Sequence, residues 1–289
     1  MKFNNVYFIN GNAYAGKSTM VKLLAEKHGG IACEENYHNA RLDRLDATEF
    51  PGLCYTRDLK DWRHFIRRTP DEYEAWIKTT SLECTKIELQ MLEEIGAQGK
   101  KVFVDTNISP EVLHQISDRD HVLIMLADPQ ISVSRFFERP DREKQFLYRL
   151  LMAEENPEAA MENFRQCLSR INSEEAYEGF MNCGFKVITK DERRSIEETL
   201  VLAEHAFGLS PNKAVLDAVT ARVKEMEALF DRLLLAPDKE GLRRLTEYYE
   251  GGKWMYDYRL DELGLLPADL KRGVLSQDGV YNLLSEVNI

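Results

Sequence analysis

The sequence predicts an α/β fold, a parallel sheet flanked by helices, followed by a smaller all-helical domain. Three observations carry this expectation. The chain opens on a short apolar run, a glycine-rich turn, a helix and a second strand, which is a βαβ unit. Residues 101–105 and 121–127 are apolar runs without polar alternation, the pattern of strands buried on both faces. Beyond Leu209-Ser210-Pro211-Asn212 the strand signals stop and only helical periodicity remains.

The first strand is Asn5-Val6-Tyr7-Phe8-Ile9-Asn10. Residues 11–16 form the turn, and 17–28 read as a helix that Gly29-Gly30 terminates. A second strand follows over 30–35. Residues 36–100 are mostly helical: Thr69-Pro70-Asp71-Glu72 is a capping box with proline at the first helical position. Tyr73, Trp76, Ile77, Cys84, Ile87, Met91 and Ile95 then recur at helical spacing until Gly96. Strands three and four are 101–105 and 121–127. Asp128-Pro129 and Asn156-Pro157 open two more helices. The fifth strand, 185–189, precedes a capping box at Ser195 to Glu198 and a helix reaching Phe207. The boundary at 209–212 divides a first domain over 1–210 from a second over 213–289. There Val215, Val219, Val223, Met226, Phe230 and Leu233 form a helical stripe. Pro237, Gly251-Gly252, Gly264 and Pro267 separate the shorter helices that follow.

Composition narrows the function classes. A chain of 289 residues is long enough for two cores, and 44% hydrophobic with 30% charged residues suits soluble globular domains. The mean hydropathy of −0.43 and the lack of a long apolar run argue against a membrane span. The N-terminus turns into a strand within a few residues, so no secretory signal is expected. A net charge of −11 disfavours a protein that wraps nucleic acid, although local arginines can still hold an anionic substrate. The five cysteines are widely spaced and make no C-x-x-C pair, which suits a reduced cytosol rather than a disulfide scaffold. A His/Cys metal cage is not expected.

The strongest motif is Gly11-Asn12-Ala13-Tyr14-Ala15-Gly16-Lys17-Ser18, a full G-x-x-x-x-G-K-[ST] between a buried strand and a helix. Its glycines let successive backbone N–H groups face a concavity, and the helix N-terminus adds partial positive charge. Residues 11 to 18 are thus the expected contacts of a nucleotide's phosphates. Lys17 would reach the β- and γ-phosphates, and the Ser18 hydroxyl would go to Mg²⁺.

Three further clusters bear on the reaction. Glu34 and Glu35 follow the second strand, where a carboxylate faces the carboxyl edge of the sheet and can accept a proton from an attacking hydroxyl. Which of the two faces inward stays open, because neighbouring strand residues point to opposite faces. Asp105 ends the third strand after four residues of the run, a Walker-B-like position beside Ser18 suited to ordering Mg²⁺ and its waters. Arg135, Arg139 and Arg142 flank a proline after the fourth strand; as a flap they would neutralise charge on a transferred phosphoryl group, with Arg139 foremost. They read equally as a helix end pairing with Glu138 and Asp141. Guanine recognition usually needs [NT]-K-x-D, whereas Thr189-Lys190-Asp191-Glu192 puts the aspartate one position early, which favours adenine.

With these residues in view, the first 210 residues resemble small P-loop kinases of the nucleoside-monophosphate-kinase-like fold, the group that includes shikimate, gluconate, chloramphenicol and polynucleotide kinases. The resemblance rests on residues 11–19, on the Asp105-Thr106-Asn107…Pro110 run similar to the D-T-N-x-x-P of polynucleotide-kinase-type members, on the arginine flap, and on Val187-Ile188-Thr189-Lys190-Asp191. It implies a three-layer P-loop NTPase fold with a five-stranded parallel sheet in the order 2-3-1-4-5, with ATP and Mg²⁺ as cofactors. Glu34-Glu35-Asn36-Tyr37 stands where that group usually has an aspartate. Residues 213–289 are similar to a small helical domain family without an assigned function, through Trp254-Met255-Tyr256-Asp257-Tyr258, Asp261-Glu262-Leu263-Gly264 and the run from Leu266 to Gly279. In it Tyr258, Lys271 and Arg272 serve either a partner surface or the packing and capping of a bundle.

In such kinases the helical stretch between strands two and three grips the acceptor. Arg57, Trp62, Arg63, Arg67 and Arg68 there suit a phosphorylated or aromatic acceptor, or an ordinary surface. The expected function is a cytosolic, Mg²⁺- and ATP-dependent kinase acting on a small-molecule hydroxyl. The alternative is an ATP-binding regulator whose C-terminal helices contact a protein partner or a second copy of the chain. A nucleic-acid 5′-end kinase is a lesser variant.

Overall fold

The computed structural model of the chain describes residues 3–138 and 142–286. Strand β1, Val6–Asn10, is buried along its whole length. Helix α1, Lys17–His28, ends where Gly29 takes a left-handed φ of +63° that favours glycine. The edge strand β2, Ile31–Cys33, is shorter than the run over 30–35 suggests. Among the described residues it pairs only with β3, and after Cys33 the chain turns, with Asn36 left-handed at φ +62°. Glu34 and Glu35 therefore sit in a turn, outside the alternation of a strand.

Helices α2 (Pro51–Asp58), α3 (Arg63–Ile66) and α4 (Pro70–Gly96) follow. The capping box opens α4: Thr69 N donates to the Glu72 carboxylate at 2.8 Å, and Glu72 N donates to Thr69 Oγ1 at 3.3 Å. Strand β3 (Val102–Asp105), α5 (Pro110–Ile116), β4 (Val122–Leu126) and α6 (Pro129–Ser134) come next, and Asp128 accepts the Gln130 N–H at 2.8 Å. After α7 (Arg142–Met152), α8 (Pro157–Ile171) and α9 (Glu174–Met181), strand β5 (Lys186–Thr189) completes the sheet. Its order is β2-β3-β1-β4-β5, and every pair is parallel.

Val6, Phe8, Val102, Val104, Val122, Ile124 and Leu126 join Leu92 and Leu113 in one core. Tyr7 stacks on Phe103 at 5.0 Å, and α1 packs along β1 and β3. Burial on both faces is what the unbroken apolar runs require. A separate aromatic cluster, Phe65, Tyr73 and Phe164 with Trp62 and Trp76, lies among α3, α4, α7 and α8.

The chain divides into two compact units. The first holds residues up to Lys190 with Ala206–Gly208, and the second holds Asp191–His205 with Leu209 onward. Residues 191–205 thus group with the C-terminal helices, earlier on the chain than the 209–212 segment. The second unit consists of α10 (Ile196–Ala206, but for its last residue), α11 (Lys213–Leu235), α12 (Lys239–Glu250), α13 (Lys253–Glu262) and α14 (Gln277–Glu286). Within it Glu198 of α10 accepts two bonds of 2.8 Å from Lys253 Nζ, and Tyr256 Oη donates to the Glu198 carbonyl at 3.1 Å. Asp257 is fully buried and accepts from Arg222 Nε and Tyr248 Oη, both at 2.9 Å. Trp254 Nε1 donates to the Val274 carbonyl at 2.7 Å, and Tyr258 stacks on the Trp254 ring at 5.2 Å. Lys271 bonds Asp231 at 2.5 Å and Arg272 bonds Asp261 at 2.8 Å. No helix among the described residues is long and apolar enough to cross a membrane.

Candidate functional site

The turn after β1 is held from both sides. Asn10 accepts the Gly11 N–H and donates through Nδ2 to the Ile108 carbonyl, each at 2.5 Å. Asn12 makes a two-way amide contact with Ala127 at the end of β4: Nδ2 donates to its carbonyl at 2.6 Å, and Oδ1 accepts its N–H at 2.7 Å. The Asn12 side chain is therefore occupied by the fold. Gly11 has φ +128°, and a Cβ there would lie 1.9 Å from the Met125 carbonyl oxygen. Tyr14 and Gly16 are also left-handed, at φ +66° and +90°. These torsions fold residues 11–16 back onto the first turn of α1.

Lys17 and Ser18 begin α1 and meet Asp105 at the end of β3. Register explains the meeting: Ile9 of β1 pairs with Asp105, so both strand ends open on one edge of the sheet. Ser18 Oγ donates to Asp105 Oδ2 at 2.7 Å. Lys17 Nζ donates to the Asn12 carbonyl at 3.0 Å and lies 3.8 Å from Asp105 Oδ1. Burial pushes the Asp105 carboxyl above its ordinary range, opposed by the Lys17 charge and the Ser18 hydrogen bond and reinforced by the charges of Glu35 and Glu88.

Ala13, Tyr14, Gly16, Lys17, Ser18, Thr19, Glu35 and Asp105 line one cleft of about 60 Å³. Glu34 does not line it; its carboxylate pairs with Lys22 at 2.9 Å and is half-exposed. Of the two glutamates left open by the sequence, Glu35 is the one in the cleft.

The arginine segment divides. The Tyr14 hydroxyl donates to the Arg135 carbonyl, while the Arg135 side chain is exposed and 3.7 Å from Glu138. Arg142 starts α7 on the surface, and Arg139 lies outside the described residues. On the acceptor side, Arg57 donates to the carbonyls of Leu42 and Leu45 at 2.9 and 2.8 Å and pairs with Asp58. Arg63 pairs with Asp61 and Arg67 with Glu154, at 2.6 and 2.8 Å. Trp62 packs edge-on against Phe65 and Phe146. Arg68 lies 4.2 Å above the Tyr55 ring. Three of these four arginines thus already satisfy carboxylates or carbonyls of the fold.

The structure adds residues that the sequence reading missed. Glu88 of α4 is 1% exposed. Its Oε2 accepts from Thr106 Oγ1 at 2.8 Å, and its Oε1 lies 3.0 Å from His38 Nδ1. His38 Nε2 is 3.4 Å from Cys84 Sγ, and burial pushes that thiol up to about 12. The one sequence signal was a glutamate beside Ile87, in line with Cys84 one turn earlier on the apolar face of α4. Among the described residues no group of three or more His, Cys, Asp or Glu side chains is disposed to hold a metal ion.

Comparison with known families finds that residues 213–289 match the model described as Domain of unknown function (DUF4298). No curated protein matches the chain. No solved structure matches it either.

Proposed function

We propose that the chain is a kinase built on a P-loop NTPase domain, using Mg²⁺ and ATP to phosphorylate a hydroxyl of a small-molecule acceptor. The observation that carries this reading is the convergence of Lys17, Ser18, Asp105 and Glu35 on one cleft at the carboxyl edge of the parallel sheet. That edge is where open α/β sheets place their ligands.

The residues fit both a nucleotide and its metal. Gly11 leaves no room for a side chain against Met125, so the loop backbone can close around a phosphate rather than around its own side chains. The first N–H groups of α1 lack helical partners and attract an anion. Ser18 and Asp105 offer hard oxygen ligands, and Mg²⁺ takes only one or two of these from a protein, completing its shell with phosphates and water. Bound MgATP supplies the phosphoryl group and a divalent charge that offsets charge developing on it.

In this reading Lys17 leaves the Asn12 carbonyl for phosphate oxygens. Glu35 accepts the proton of the acceptor hydroxyl, at a position that also faces Lys17 and Asp105. Asp105 is held by Ser18 on one oxygen and keeps the other toward Lys17. Arg135 and Arg142 remain the described flap candidates for steadying the transferred group.

Lys17→Ala tests the reading, with turnover followed as ADP release against a panel of nucleosides, sugars and aminoglycosides. Wild type should show acceptor-stimulated release, and the variant should lose about a hundredfold or more of it with its fold unchanged by circular dichroism. Wild-type-like turnover in Lys17→Ala would sink the assignment. Tight ATP binding with no stimulation by any acceptor, together with nucleotide-dependent association of a partner, supports the regulator instead.

A further inference from the structure

We propose that Glu88 is a positioning residue that holds the two acid-bearing segments of the cleft, the Asp105 strand end and the turn carrying Glu35, in one fixed relation. The inference rests on the metal- and phosphate-handling role proposed for that cleft. Its structural half, the holding of two segments by one carboxylate, stands apart from that role.

A carboxylate 1% exposed is costly to remove from water unless its oxygens are bonded. Glu88 divides its two oxygens between two stretches of chain that are remote in sequence. Oε2 takes the hydroxyl of Thr106, the residue after Asp105, and Thr106 Oγ1 in turn accepts the Ile108 N–H at 3.1 Å. Oε1 meets His38, three residues after Glu35, whose other ring nitrogen faces Cys84 on the same helix. Thr106 and His38 are themselves buried, at 1% and 3% exposure, so neither bond is exchanged readily for water. The edge strand β2 ends at Cys33 and leaves the Glu35 turn without sheet hydrogen bonds of its own. His38 on Glu88 is thus a tertiary tie for that turn.

The same helix carries a second buried carboxylate five positions earlier. Glu83 accepts the N–H groups of Gly52 and Leu53 at 2.9 and 2.8 Å and so fixes the start of α2. Helix α4 therefore connects the region proposed to meet the acceptor with the acids of the cleft through two carboxylates. Groups that hold ligating carboxylates from behind commonly change metal affinity by about 10- to 100-fold when removed.

The test uses the full chain with Glu88→Ala, Glu88→Gln and Thr106→Val. Two readouts are taken: amide hydrogen exchange of the ligand-free protein, and ATP affinity by calorimetry with Mg²⁺ and with EDTA. Glu88→Ala should speed exchange about tenfold in both 34–38 and 105–108 while leaving α1 protected. It should also remove about tenfold of the Mg²⁺-dependent gain in ATP affinity and leave the affinity in EDTA within about twofold. Glu88→Gln retains an oxygen for Thr106 and an amide for His38, and should restore most of both losses. Thr106→Val, a milder change should Glu88→Ala fail to fold, should loosen 105–108 and lower the Mg²⁺ gain with 34–38 still protected. Unchanged exchange in either segment of a folded Glu88→Ala, an equal loss of affinity with and without Mg²⁺, or wild-type behaviour of Thr106→Val would overturn the proposal. If wild type binds no ATP in either condition, the reading of the cleft fails and with it the metal half of the proposal. The exchange data then still decide whether Glu88 holds the two segments.

Discussion

Gly11 occupies a position where no side chain fits, since any Cβ would press into the Met125 carbonyl and φ is +128°. Gly11→Ala should cost about 2–4 kcal/mol, seen as a lower midpoint in urea unfolding, and abolish the ATP binding proposed for the cleft because β1 and β4 must part to admit the methyl. Asp105 poses the opposite case. Its carboxyl is raised chiefly by burial, so the folded state binds this proton more tightly than the unfolded chain does, and stability falls as pH rises through its folded pKa. The ligand-free Asp105→Asn protein should therefore melt about 2–4 °C higher than wild type at neutral pH, while the ATP affinity proposed for the cleft should no longer respond to Mg²⁺. A lower melting temperature would contradict the sign. Both residues are conspicuous in the sequence, one as the first glycine of a motif and one as an acid closing an apolar run. Glu35 was legible only as half of a pair, because a residue in a turn has no alternation to fix its direction.

Helix α2 shows how an element can depend on a partner distant in sequence. Its N-cap, Phe50, has no side chain able to accept a hydrogen bond, and Pro51 removes one donor. The next two N–H groups go to Glu83 instead. Glu83→Ala should cost about 1–2 kcal/mol, measured by urea unfolding, with faster exchange confined mainly to 51–58. Exchange in that segment equal to wild type would show that the cap contributes nothing. By contrast, α4 and α10 announce their starts locally. The Thr69–Glu72 and Ser195–Glu198 boxes are both closed by the expected reciprocal bonds. Caps within four residues can be read from spacing, whereas a cap supplied from thirty residues away depends on which helices come to lie together.

The second unit also responds to acid through interactions that join separate helices. Burial raises the pKa of Glu198, but hydrogen bonds from Lys253 and the Ser195 N–H, with the charges of Lys253 and Arg222, more than offset it and leave the carboxyl below its ordinary range. Because the folded value is lowered, the stabilisation is present above the ordinary glutamate pKa and is lost as pH falls through the folded one. Glu198→Gln should thus lower the melting temperature of the second unit at pH 7 and flatten its decline between about pH 5 and 3, followed by circular dichroism. A wild-type slope over that range would assign the acid sensitivity to other carboxylates. Whereas the strand order is implied only by the family resemblance, the five strands, their burial in a parallel sheet and the helical C-terminal region follow from patterns a few residues long: unbroken apolar runs, glycines after strands, capping boxes. The grouping of 191–205 with the later helices, the choice of Glu35 over Glu34, and the burial of Glu83, Glu88 and Asp257 do not. Each depends on desolvation and on partners tens of residues away, which exist as neighbours only once the helices have packed. Local pattern fixes backbone type because the energies that select it act between adjacent residues. The direction and charge environment of a side chain are set by everything that finally surrounds it.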